Sequence, residues 1–74
     1  MITIYSTPTC FYCKKAKELF HKKGCEFQEK NVAIDLDARK EMFEKSGQMG
    51  VPVIEINGEV MIGFDESKIN NLLK

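Results

Sequence analysis

The chain has 74 residues, 43% of them hydrophobic, and its 11 basic and 11 acidic side chains leave a formal net charge of zero. That length allows one domain spanning 1–74 with one modest core, burying about 60% of the surface the unfolded chain exposes, and the balanced charge sets up no global field to draw nucleic acid or an anionic membrane. Three cysteines are too few, and odd in number, for a stapled secreted scaffold, and neither a signal peptide nor an apolar run near the ~20 residues of a membrane span is present, so the expectation is a soluble cytoplasmic monomer.

In chain order, Met1 to Ser6 reads first as a strand. Ile2, Ile4 and Ser6 alternate with Thr3 and Tyr5, and both sets are mostly apolar, which predicts a central strand covered on both faces. Pro8 stops the ladder, and Thr9 and Cys10 are both candidates to cap a helix over Phe11–Lys23. Cys13, Ala16, Phe20 and Leu19 mark its inner stripe, the lysines lie off it, and Gly24 is the stop. Cys25–Val32, centred on Phe27, is polar and alternating, and predicts a second strand at a sheet edge.

Asp35 or Asp37 caps the next helix, which runs to about Ser46 before Gly47, with Leu36, Met42 and Phe43 inward. Val53–Ile56 and Glu59–Ile62 flank Asn57-Gly58, a strong signal for an antiparallel hairpin through a type I′ turn. Asp65 caps a last helix with Ile69, Leu72 and Leu73 on one face. The order β-α-β-α-β-β-α contains a right-handed βαβ unit and predicts an α/β fold, a mixed four-stranded sheet flanked by helices.

Cys10-Phe11-Tyr12-Cys13 lies between the first strand and the first helix. Three readings of it compete. A Cys-x-x-Cys there, within a βαβ unit, marks a thioredoxin-like redox motif. Cys10 would sit over unpaired N–H groups at the positive end of the helix dipole, which favours the reactive thiolate. The lysines of the first turns, Lys14 above all, would add to this. The second reading is a zinc module using Cys10, Cys13, His21 and Cys25, but one continuous helix sets His21 about 16 Å along the axis from Cys10, too far for shared ligation. The third is burial of both cysteines as small apolar residues, which suits Cys13 and not Cys10 in its Pro8-Thr9 turn. Cys25 reads as packing and His21 as solvated, while Val51-Pro52, by itself, reads as a trans bond at a strand start.

Taken together, Tyr5-Ser6-Thr7-Pro8-Thr9-Cys10-Phe11-Tyr12-Cys13, Gly50-Val51-Pro52-Val53 and Gly63-Phe64-Asp65-Glu66 resemble the glutaredoxin family, in its small bacterial form within the thioredoxin-like fold. The resemblance spans nearly the whole chain. It implies thiol–disulfide exchange on protein disulfides or protein–glutathione mixed disulfides, with Cys10 attacking and Cys13 resolving. It implies a cis bond at Pro52 packed against the dithiol, and glutathione as co-substrate with no bound cofactor or metal. The Val51 backbone would pair with the cysteine part of glutathione, Asp65 and Glu66 would hold its γ-glutamyl end, Pro52 and Gly63 would belong to the same glutathione- or substrate-binding surface, and Tyr12 would line the groove.

The chain departs from the family pattern at four places. Phe11 replaces the usual proline after the first cysteine and restores an N–H there. Thr7 stands where a lysine often grips a glutathione carboxylate, leaving Arg39 or Lys40 as the replacement cation. Gly50 replaces the usual threonine, and Ile62-Gly63 the usual Gly-Gly. Gly63-Phe64 also resembles redoxins that are recharged by thioredoxin reductase and feed a reductase such as ribonucleotide reductase, so that enzyme is the alternative partner. A sensor whose disulfide is itself the signal shares the same sequence marks.

Overall fold

The structure, a computed structural model, describes residues 1–73. Seven elements follow in order: β1 (Ile2–Ser6), α1 (Phe11–Lys22), β2 (Gln28–Asn31), α2 (Leu36–Ser46), β3 (Val53–Ile56), β4 (Glu59–Ile62) and α3 (Glu66–Leu72). The strands form one sheet ordered β2-β1-β3-β4, with β1 parallel to β2, antiparallel to β3, and β3 antiparallel to β4. This is the predicted order and the predicted mixed sheet.

Every residue of β1 is buried, because helices cover both faces. On one face Ile2 and Ile4 pack with Ala16 and Phe20 of α1, with Ile54, Ile56 and Met61 of the hairpin, and with Ile69 of α3. On the other face Tyr5 packs with Val32, Val53 and the inner residues of α2, Ala38 and Met42. The side-chain alternation of β1 thus divides the core into two layers. At the hairpin Asn57 and Gly58 take φ 49° and 91°, the two positive values a type I′ turn requires.

Two expectations are corrected. The second strand starts at Gln28, not Cys25. The Cys25 N–H donates to the Phe20 carbonyl at 2.9 Å and the Gly24 N–H to the His21 carbonyl at 3.1 Å, with Gly24 at φ 71°. That is a Schellman closure of α1, so Cys25 belongs to the helix stop and packs against the core cluster that contains Phe20. On α2, Met42 faces inward as expected but Leu36 and Phe43 do not. They are 71% and 50% exposed, and Ala38 takes the inner place. Ala38 and Met42 stand four apart on one stripe, and that stripe is the one α2 turns to the cluster around Tyr5. Leu36 opens the helix, where its side chain leans back beyond the first turn.

Of the paired cap candidates, Cys10 caps α1 and Asp35 caps α2, its Oδ1 accepting from the Ala38 N–H at 3.0 Å. Leu72 and Leu73 are half-buried against the core that Ile69 enters fully.

Tyr5 is wholly buried, and its hydroxyl donates to the Glu41 carboxylate, which also accepts from Lys30 Nζ at 2.8 Å. Burial first, and then the acceptor Glu41, push the Tyr5 phenol up to about 12 from 10.0. The folded chain therefore keeps a proton that the unfolded chain releases across that interval, so this contribution is complete below pH 10 and lost as pH rises towards 12. A shift of this size corresponds to about 2–3 kcal/mol. Tyr5→Phe should lose less stability than the wild type between about pH 10 and 11.5 in urea unfolding. Parallel losses in the two proteins would remove Tyr5 as the cause.

Candidate active site

Three segments far apart in sequence meet at one end of the sheet. Tyr5 pairs with Val53 and Val53 with Ile62, so the turn after β1, the turn before β3 and the turn after β4 are neighbours. These turns carry Cys10, Pro52 and Gly63. The Gly63 N–H donates to the Pro52 carbonyl at 2.8 Å, which ties the last two together. The Val51-Pro52 bond is cis, as the resemblance implied and against the trans bond that Pro52 alone suggested.

Cys10 and Cys13 form a disulfide with their Cα atoms 5.2 Å apart. Cys13 is buried on the inner stripe of α1, whereas Cys10 is partly exposed at its cap. The Cys10 Sγ accepts the Cys13 N–H at 3.1 Å. A sulfur so placed takes the role of a capping oxygen, at the end of the helix where partial positive charge gathers. The first turn of α1 holds no acidic residue. Lys14 is exposed there and makes no ion pair among the described residues.

The rim beside the disulfide is aromatic. Phe11 and Tyr12 are 63% and 55% exposed and meet edge to face at 5.3 Å between ring centroids. Tyr12 also stacks on Phe64 at 6.4 Å, which bridges α1 to the Gly63-Phe64 turn. Phe64 was not among the expected site residues, although it sits inside the motif that pointed to its neighbours.

Val51 is half-buried beside Pro52, and among the described residues its N–H and carbonyl make no hydrogen bond. A free backbone edge of this kind can pair with an extended peptide. Next to it lies a cavity of about 370 Å³, bordered by Thr7, Val51, Met49 and Arg39. Arg39 Nε donates to the Val32 carbonyl at 3.1 Å, which holds the guanidinium at the wall with no carboxylate partner among the described residues. Of the two cations considered as replacements for the missing lysine, Arg39 lines this cavity and Lys40 does not.

Asp65 is the cap of α3, its Oδ1 accepting from the Lys68 N–H at 3.2 Å, and Asp65 and Glu66 are both exposed. His21 lies near the far end of α1, edge-on to Phe27 at 5.2 Å. Among the described residues no three His, Cys, Asp or Glu side chains gather as metal ligands.

A cis-proline turn at the same end of the sheet as a Cys-x-x-Cys at a helix start is joined by a family-level match, since the model of the glutaredoxin family fits residues 2–61. The chain belongs to the glutaredoxin family. A glutaredoxin-like 8.6 kDa protein from the rubredoxin operon of Clostridium pasteurianum is 49% identical over 74 residues, covering 100% of this chain and 99% of that one. Glutaredoxin 3 of Escherichia coli is 38% identical over 65 residues, 88% of this chain and 78% of its own. Among solved structures, a thioredoxin-like protein superposes with a TM-score of 0.91 at 29% identity, covering 97% of this chain and 99% of that one. A buckwheat glutaredoxin–glutathione complex gives 0.78 at 26% identity, covering 97% and 71%. This glutaredoxin is a thiol–disulfide oxidoreductase of α/β, thioredoxin-like fold, and its paired Cys10 and Cys13 supply the dithiol. No helix among the described residues is long and apolar enough to cross a membrane.

Proposed function

We propose that the protein reduces protein disulfides and protein–glutathione mixed disulfides, and that glutathione recharges it. The observation that carries this reading is the Cys10 Sγ at the cap of α1, within 3.1 Å of the Cys13 N–H. Cys10 is the attacking thiolate, favoured there by backbone N–H groups, the helix dipole and Lys14. It attacks one sulfur of the substrate disulfide and the other sulfur leaves as a thiolate. In the dithiol route Cys13 attacks Cys10, releases the bound sulfur and closes the disulfide; in the monothiol route a glutathione thiolate releases glutathione disulfide from Cys10.

The free Val51 backbone pairs with the cysteine part of glutathione, and Arg39 receives a terminal carboxylate in the cavity beside it. Asp65, with Glu66 and the turn at Gly63, takes the γ-glutamyl end, and Tyr12 lines the groove. On this reading Pro52 packs against the dithiol, at the end of the sheet where its turn and that of Cys10 are neighbours. The unpaired Cys25 suits a reducing cytoplasm, where a third thiol stays a thiol.

Cys13→Ser separates the two routes. It should lose protein-disulfide reduction and keep a measurable fraction of deglutathionylation in an assay coupled to glutathione reductase. Loss of both activities would rule out the monothiol route. The second reading, recharging by thioredoxin reductase, is favoured by Thr7 in place of a cation, and wild-type protein idle with glutathione yet rapidly reduced by thioredoxin reductase would establish it.

A further inference from the structure

The chain is neutral overall, but its charge is not evenly spread. Between Cys10 and Lys23 stand five lysines and one carboxylate, Glu18, while the remainder of the chain holds six cations and ten carboxylates. In the fold this segment is a single helix with the dithiol at its start. Lys17 pairs with Glu29 at 2.8 Å, whereas Lys14, Lys15, Lys22 and Lys23 are exposed and make no ion pair among the described residues. The positive pole of the molecule is therefore the helix that carries the reactive sulfur.

That pole is continuous with an apolar surface. Lys15 Nζ lies 5.2 Å from the centre of the Phe11 ring, Phe11 meets Tyr12, and Tyr12 stacks on Phe64. An open groove between α1 and the Phe64 turn runs on from there, with Lys15, Leu19 and Lys22 on its α1 side. Glu18 and Glu66 stand in the same groove, so the groove is balanced locally and the excess charge belongs to the helix as a whole.

We infer that α1 is a docking surface for an acidic protein, one whose exchangeable disulfide is set among apolar side chains and bordered by carboxylates. The inference rests on the oxidoreductase reading of Cys10 and Cys13. Scale separates a protein from a small thiol here. Lys22 is about 18 Å along the helix from Cys10, whereas a tripeptide spans about 11 Å when fully extended. Glutathione seated on Cys10 does not reach Lys22 or Lys23, but a protein burying about 800 Å² on each side covers them. Complementary charge on that footprint acts mainly on encounter, raising association rates 10- to about 1000-fold at low ionic strength and losing the gain in salt.

The test uses pre-reduced protein and two disulfide peptides, identical except that aspartates flank the disulfide in one and lysines in the other. Each turnover passes two electrons and two protons from the Cys10–Cys13 dithiol to the peptide disulfide. The acidic peptide should react at least about tenfold faster at ~10 mM salt, where charges act over about 30 Å, and the two should converge near 1 M, where the range is about 3 Å. Exchanging both Lys22 and Lys23 for glutamate leaves three lysines against three glutamates on the helix, and should bring the low-salt preference to within about twofold. Reduction of uncharged hydroxyethyl disulfide should be unchanged in that variant, which also reports that it is folded. Equal wild-type rates for the two peptides at low salt, or a preference that survives 1 M salt, would overturn the inference alone. Failure on hydroxyethyl disulfide in the wild type would remove the oxidoreductase reading and the inference with it.

Discussion

Cys10→Ser is expected to abolish reduction of protein disulfides and of glutathione mixed disulfides together, down to the uncatalysed background. The hydroxyl can take over the cap, accepting the Cys13 N–H much as the sulfur does at 3.1 Å. It cannot form the mixed disulfide through which both routes pass. The fold should survive, since Cys10 is only partly buried and contributes to neither half of the core. The comparison belongs with reduced wild type, so that closure of the four-residue loop does not enter. The contrast with Cys13→Ser is what gives the experiment its force: one variant loses everything, and the other keeps the route that needs a single sulfur. Retained turnover in Cys10→Ser would move the nucleophile elsewhere.

Phe20→Ala should have the largest effect on stability. Phe20 is fully buried, lies 5.8 Å from the Phe27 ring, and joins α1 to Ile2, Ile4 and the hairpin. Its carbonyl also accepts the Cys25 N–H that closes the helix. Truncating a buried phenylalanine costs about 3–5 kcal/mol. A chain of this length has only about 4–11 kcal/mol in total, taking 0.05–0.15 kcal/mol per residue. The melting temperature should therefore fall by about 12–40 °C, read from loss of helical circular dichroism. Activity near 37 °C should fall with it, because α1 presents Cys10 and rests on Phe20. A shift under about 5 °C would show that α1 is held by other contacts.

What the sequence made legible was local. Asn57-Gly58 between two apolar runs announced the hairpin, and Gly24 and Gly47 marked the ends of two helices. Alternation in Ile2–Ser6 announced a strand covered on both faces, and the structure divides its side chains between two helix layers. The errors arose where a tertiary contact competed with a pattern. Cys25-Glu26-Phe27 looks like strand, but Phe27 gains its burial against Phe20 without pairing in the sheet. Leu36 and Phe43 are apolar residues of the same helix, yet the stripe that α2 turns to Tyr5 holds Ala38 and Met42.

The site divides the same way. Cys10 and Cys13 were legible from spacing and from their place between strand and helix. The cis bond at Pro52 was legible only through likeness to a family, since nothing in Gly50-Val51-Pro52 overrides the ordinary trans preference. Arg39 was one of two candidates until the fold brought it to the wall shared by Thr7 and Val51. Such meetings depend on how far apart β1, α2 and the Pro52 turn come to lie, which no local pattern encodes.

The role proposed for Cys10 is that of the sulfur that takes the substrate. It is tested most directly by treating reduced Cys13→Ser protein with glutathione disulfide and locating the adduct by peptide mass mapping. One glutathione should be found on the peptide that contains Cys10, formed well ahead of any on Cys25, and removed by further glutathione. An adduct confined to Cys25, or none on Cys10 while Cys10 remains a free thiol, would contradict it.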